Sequence, residues 1–66
     1  MEILLNKIPT DKDLSIGQQV CYKNIDGFYS KIGTITDIVC VDGFNEFLIN
    51  NLFGSYLADE LRLINP

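Results

Sequence analysis

Two Asp-Gly steps, Asp26-Gly27 and Asp42-Gly43, stand between short runs of β-branched and aromatic residues, and they constrain the fold more than any other feature. A two-residue hairpin turn needs positive φ at its centre, which Asp tolerates and Gly adopts without steric cost. Glycines at 17, 33 and 54 continue the punctuation, and the residues between them are rich in Val, Ile, Tyr and Phe. This pattern predicts an all-β domain of short antiparallel strands, over 18–24, 31–40, 44–50, 54–58 and 61–64.

Alternation within the runs assigns their faces. Val20 and Tyr22 share one face, Ile32, Ile35 and Ile38 are expected to share another across a bulge, and Phe47 and Ile49 point inward from the third run. Open edges on five short strands invite pairing with other chains, so closure into a small barrel is the expected solution. Gly33 and Gly54 would permit the bends that closure needs. Residues 1–15, MEILLNKIPTDKDLS, differ in texture: an apolar start, then Pro9 and a charged stretch. They read as an N-terminal arm or extra strand with a loop, ahead of the barrel in 16–66.

The order Gly17-x-x-Val20, Gly33-Thr34-Ile35-x-x-Ile38, Phe47-x-Ile49, Gly54-x-Tyr56 and Asp59-Glu60-Leu61-Arg62-Leu63-Ile64 resembles the SH3-like small β-barrels, in particular KOW- and Tudor-like domains. The resemblance covers residues 16 to 65. It implies a five-stranded barrel with a long variable loop over 24–31, and a single 3₁₀ turn within Leu57–Leu61 before the last strand. KOW segments are typically basic, whereas Lys23, Lys31 and Arg62 are the only bases in 16–66.

A chain of 66 residues makes one domain, and a domain near this size buries only about 60% of the surface its unfolded chain exposes. Hydrophobic residues at 47% against 21% charged ones are enough for a globular core. No apolar run approaches the ~18 residues of a membrane span, and MEILLNK lacks the features of a signal peptide, so a cytoplasmic protein is expected. Cys21 and Cys40, without CxxC spacing, are expected as free thiols. With two cysteines and no histidine there is no zinc set, and no cofactor is expected. The six asparagines and the absence of Trp and His match an AT-rich gene of the kind phages and mobile elements carry.

Candidate chemistry is sparse. Without histidine the commonest general base is missing. Asp59 and Glu60 are adjacent, so on a strand they would face opposite ways; they suit a helical turn, where a carboxylate accepts hydrogen bonds from free N–H groups. Asp37 and Asp42 lack the dense spacing of a calcium loop, and Gly27 to Gly33 lacks the Gly-Lys-Ser/Thr close of a phosphate loop. A non-enzymatic protein is the expectation.

Aromatic residues carry the better signal. Phe28 and Tyr29 lie in the long loop and Phe44 follows the second turn, where binding surfaces are built. Tyr22 and Tyr56 are expected half-buried with their hydroxyls at the surface. A packing role is the alternative for some rings, with Phe28 as a lid and Phe44 and Phe53 as plugs. Asp26, Asp42, Glu46, Asp59 and Glu60 add negative charge near the rings, which suits a cationic ligand. The expected site is therefore Asp26, Phe28, Tyr29, Phe44, Glu46 and Tyr56, engaging a basic or peptide-like surface of a protein partner, with the chain a monomer or homodimer. A nucleic-acid or ribonucleoprotein role is second: net charge is −4, and Lys23, Lys31 and Arg62 would have to line one face with Tyr22, Phe28 or Tyr29 stacking on bases.

Overall fold

The Asp42-Gly43 step forms the turn its sequence asks for. Both residues have positive φ, 52° and 83°, and they join Val41 to Phe44 in a two-residue hairpin. The Asp26-Gly27 step behaves differently: only Gly27 takes positive φ, at the end of a longer loop that Asn24 organises. The Asn24 side-chain oxygen accepts from the N–H groups of Asp26 and Phe28 at 2.9 and 3.0 Å, and its amide donates to Ser30 Oγ at 2.8 Å. One Asn thus supplies the turn chemistry that a hairpin of two residues would have taken from its backbone.

The computed structural model describes residues 2–52 and 54–65. Among them, β1 (Glu2–Ile3) is followed by a 3₁₀ turn (Asp11–Asp13), β2 (Gln19–Lys23), β3 (Tyr29–Val41), β4 (Phe44–Ile49), a second 3₁₀ turn (Ala58–Glu60) and β5 (Leu61–Asn65). The strands form one antiparallel sheet in the order β1-β5-β2-β3-β4. The N-terminal arm therefore joins the sheet through Glu2 opposite Asn65 and Ile3 opposite Ile64.

The expected closed SH3-like barrel, KOW- or Tudor-like, is not formed. β1 and β4 are the two edges of an open sheet, and among the described residues no ladder joins them. The physical reason lies in 50–58. Asn50, Asn51 and Gly54 have φ of 55°, 57° and 95°, left-handed values that interrupt an extended strand. The strand expected over 54–58 is reduced to one bridge, in which Phe47 and Tyr56 exchange N–H to O bonds of 2.8 and 2.9 Å. A single pair cannot close the sheet.

A core forms because β3 bends. Straight, its 13 residues would span roughly 40 Å, whereas the longest dimension of the molecule is 31 Å. Residues 29–34 of β3 pair with β2 and residues 35–41 with β4, with a bulge at Thr36. The bulge adds one residue, so Ile35 and Ile38 both turn to the core. Ile32 does not join them, because Gly33, not Ile32, shares the parity of Ile35; Ile32 opposes Cys21 on the other face. Likewise Leu61 and Leu63 pack inward, while Ile64 opposes Ile3. Val20, Tyr22 and Leu61 from one half meet Ile35, Phe47 and Ile49 from the other, with Leu14 and Ala58 filling the ends.

Gly33 sits where the two halves meet. A methyl group there would collide with Ile49 Cγ2 and approach Asn50 Nδ2 to 3.0 Å and the Tyr22 ring to 3.2 Å. Asn50 then pins the bend: its N–H donates to the Thr34 carbonyl and its side-chain oxygen accepts from the Thr34 N–H, both at 2.9 Å. Thr36 Oγ1 accepts from Asn51 N–H at 2.9 Å, so the bulge residue holds the next turn.

Gly33→Ala is expected to lower the free energy of unfolding in urea by about 1–3 kcal/mol, as overpacking of a filled core does; a variant within ~0.5 kcal/mol of the parent would show that the bend has room for a methyl group. Both cysteines are free thiols, Cys40 exposed and Cys21 buried with its pKa raised by desolvation. A thiol reagent is therefore expected to modify Cys40 in the native protein and Cys21 only on unfolding.

Candidate protein-binding surface

The segment from Tyr56 to Arg62 shapes the surface over the second 3₁₀ turn. Glu60 Oε1 accepts from the Leu57 N–H at 2.8 Å, which caps the turn and turns Leu57 outward and Ala58 inward. Asp59 takes a different part from the one expected of its carboxylate: its carbonyl accepts from Arg62 Nη1 at 2.6 Å. The same Nη1 donates to the Leu61 carbonyl at 2.8 Å, and Arg62 Nε donates to the Leu5 carbonyl at 3.2 Å. Arg62 thus ties the N-terminal arm to the turn and to β5.

Two clefts flank this turn and share Asp59. The first, of about 620 Å³, lies between Phe44-Asn45 on β4, Leu57 and Ala58, and the arm residues Pro9 to Lys12. The second, of about 400 Å³, is lined by Ile8, Lys23, Tyr29, Tyr56, Glu60 and Arg62. The arm forms a wall of both, held down by buried Pro9 and Leu14. Between them Asp13 caps the first 3₁₀ turn: the Thr10 N–H donates to Asp13 Oδ2 at 2.9 Å, and that backbone bond lowers the pKa of Asp13.

The β4 edge opens into the first cleft. Phe47 directs its N–H and C=O outward to Tyr56, and Asn45, two residues earlier, points its own peptide groups the same way. Beyond the Phe47–Tyr56 bridge this edge has no ladder partner among the described residues.

The expected site residues do not form one cluster. Tyr29 and Tyr56 meet in the second cleft, and Tyr56 also packs on Tyr22 with ring centres 5.2 Å apart and planes tilted by 47°. Tyr22 is more buried than expected, at 9% exposure. Phe44, 66% exposed, borders the first cleft at the start of β4 and so plugs nothing. Phe28 is 70% exposed and is no lid; it stands with Asp26 and fully exposed Ile25 on the loop between Lys23 and Tyr29. Glu46 faces a separate recess, where its carboxylate accepts from Ser55 Oγ. Phe53 lies outside the described residues.

The electrostatics of Tyr29 also differ from expectation. Lys23 Nζ lies 5.3 Å and the Arg62 guanidinium 4.7 Å from its ring centre. The chain's own cations already occupy the ring, so a cation of a ligand gains little there. Ile8, Asn45 and Leu57 were not singled out by sequence. Asn45 is at the edge only because the sheet is open, and Ile8 lines a cleft only because the arm folds back. Leu57 was legible in principle, as an apolar residue next to a turn whose capping needs its N–H.

In comparisons with protein families, curated proteins and solved structures, the chain matches none. Among the described residues no helix is long and apolar enough to cross a membrane.

Removing the Arg62 tie tests this geometry. Arg62→Ala is expected to increase hydrogen exchange at the Leu4 N–H, which bonds to the Leu63 carbonyl, by tenfold or more, while Phe47 and Ile35 stay protected. Unchanged exchange at Leu4 would mean that the β1–β5 ladder alone holds the arm.

Proposed function

We propose that the chain is a non-enzymatic binding module that holds a peptide-like segment of a protein partner in the groove over the second 3₁₀ turn. The observation that carries this reading is the pair of clefts that meet at Asp59, with Phe44, Leu57 and Ile8 exposed along them and Tyr29 and Tyr56 in the second. Partly exposed aromatic and aliphatic groups in a groove are the usual anchors of peptide recognition. The carboxylates of Asp11 and Asp59 offer places for Lys or Arg of the partner. The open peptide groups of Asn45 can accept and donate one pair of hydrogen bonds to an extended backbone. Cys40, exposed as a thiol, fits a reducing cytoplasm.

A nucleic-acid role is the second reading, favoured by the gathering of Lys23 and Arg62 about Tyr29. It ranks lower because Nε and Nη1 of Arg62 donate to carbonyls, and because Asp59 and Glu60 line the same cleft and repel phosphates.

Selection of peptides from a random display library on the full chain tests the proposal. The selected peptides are expected to lose about tenfold or more in affinity on Leu57→Ser or Tyr29→Ala. Affinity unchanged in both variants, or a steeply salt-dependent complex with RNA or DNA that Lys23→Ala abolishes, overturns it.

A further inference from the structure

The outer face of the β3–β4 hairpin carries a second surface, which borders the groove at Phe44. Residues opposite each other in an antiparallel ladder share a face. Ile38 and Phe47 therefore point to the core, while the pairs Asp37–Leu48, Val39–Glu46 and Val41–Phe44 point away from it. Val39 and Val41 are each 41% exposed and Leu52 57%. With Leu48 and Glu46 they line a recess of about 360 Å³.

Charge and size decide what fits there. Every ionised group on this face is an acid: Asp37 and Glu46 on the ladder and Asp42 at its tip. Phosphates of a nucleic acid or an anionic bilayer are repelled. A second copy is disfavoured too, since a two-fold contact sets the same acidic patch against itself. The five ladder positions span roughly 17 Å, over two strands about 5 Å apart. The patch is thus far below the roughly 800 Å² per partner of a standard interface. It matches one short helix, about 10 Å wide and about three turns long.

We propose that this face docks a short amphipathic helix of another protein, basic at its flanks. The apolar stripe of that helix lies on Val39, Val41, Leu48 and Leu52, and its Lys or Arg residues pair with Glu46, Asp37 and Asp42. The module then has two surfaces that adjoin at Phe44, and the second does not require the first.

The test is a titration of the isotope-labelled full chain, followed by NMR, with two synthetic helical peptides of about 14 residues. Both carry the same Leu stripe, one flanked by Lys and the other by Glu. The Lys peptide is expected to shift the amide signals of Val39, Val41, Glu46 and Leu48, and the Glu peptide to leave them in place. Glu46→Lys is expected to weaken the Lys peptide by at least ~5-fold, and Val41→Ser by about tenfold, with the amide signals of Ile35 and Phe47 reporting that the core is intact. Leu57→Ser, in the groove, should leave this binding unchanged. Equal binding of both peptides, no shift with either, shifts at Ile8 and Leu57 in place of the hairpin, or concentration-dependent self-association abolished by Val41→Ser would overturn the proposal.

Discussion

The bend of β3 is the constraint on which the rest of the molecule depends. A 13-residue strand pairs with β2 at one end and β4 at the other, and the two halves cover each other only if the backbone turns between them. Gly33 provides the space, because no side chain could stand between Ile49 and the Tyr22 ring. Thr36 provides the extra residue that returns Ile38 to the core side. Asn50 fixes the angle through two bonds to Thr34. Phe47, Ile35 and Ile49, which are nearly inaccessible to water, owe their burial to this one corner.

The two candidate surfaces follow from the way the sheet stops short of closing. In the segment after β4, with left-handed residues at Asn50, Asn51 and Gly54, the one bridge among the described residues is that of Tyr56 to Phe47. Asn45 is left at an open edge, and the chain crosses beneath it as a 3₁₀ turn. The N-terminal arm supplies the opposite wall, tied by Arg62. The clefts are built where the sheet has an edge, and a closed barrel would have filled this space with a ladder. The same bend turns the far side of the hairpin outward, with Val39 and Val41 uncovered beside Glu46.

Arg62 illustrates how a charged residue can serve structure at a candidate surface. Three carbonyl oxygens on the arm, the turn and β5 accept from it, while its guanidinium covers the Tyr29 ring. These contacts fix its position and occupy Nε and Nη1 as donors. Asp11, Asp59 and Glu60 line the two clefts beside Lys12, Lys23 and Arg62, so neither sign of charge dominates there.

The all-β class, the Asp42-Gly43 hairpin and the inward positions of Val20, Tyr22, Phe47 and Ile49 were legible in the sequence, because period-two alternation and positive-φ turns are local properties; the helical turn at Asp59-Glu60 was legible from its capping carboxylates. The open sheet was not: whether 54–58 forms a strand depends on what β4 offers across space, and the glycine that suggested a barrel corner instead ends the pairing. Nor were the clefts, since Ile8, Asn45, Leu57 and Arg62 meet only after the arm has joined β5. Sequence by itself determined which residues alternate and where the chain can turn; tertiary structure alone decided which edge stays open and which side chains face one another across it, because pairing is a contest between distant segments that no local preference can settle.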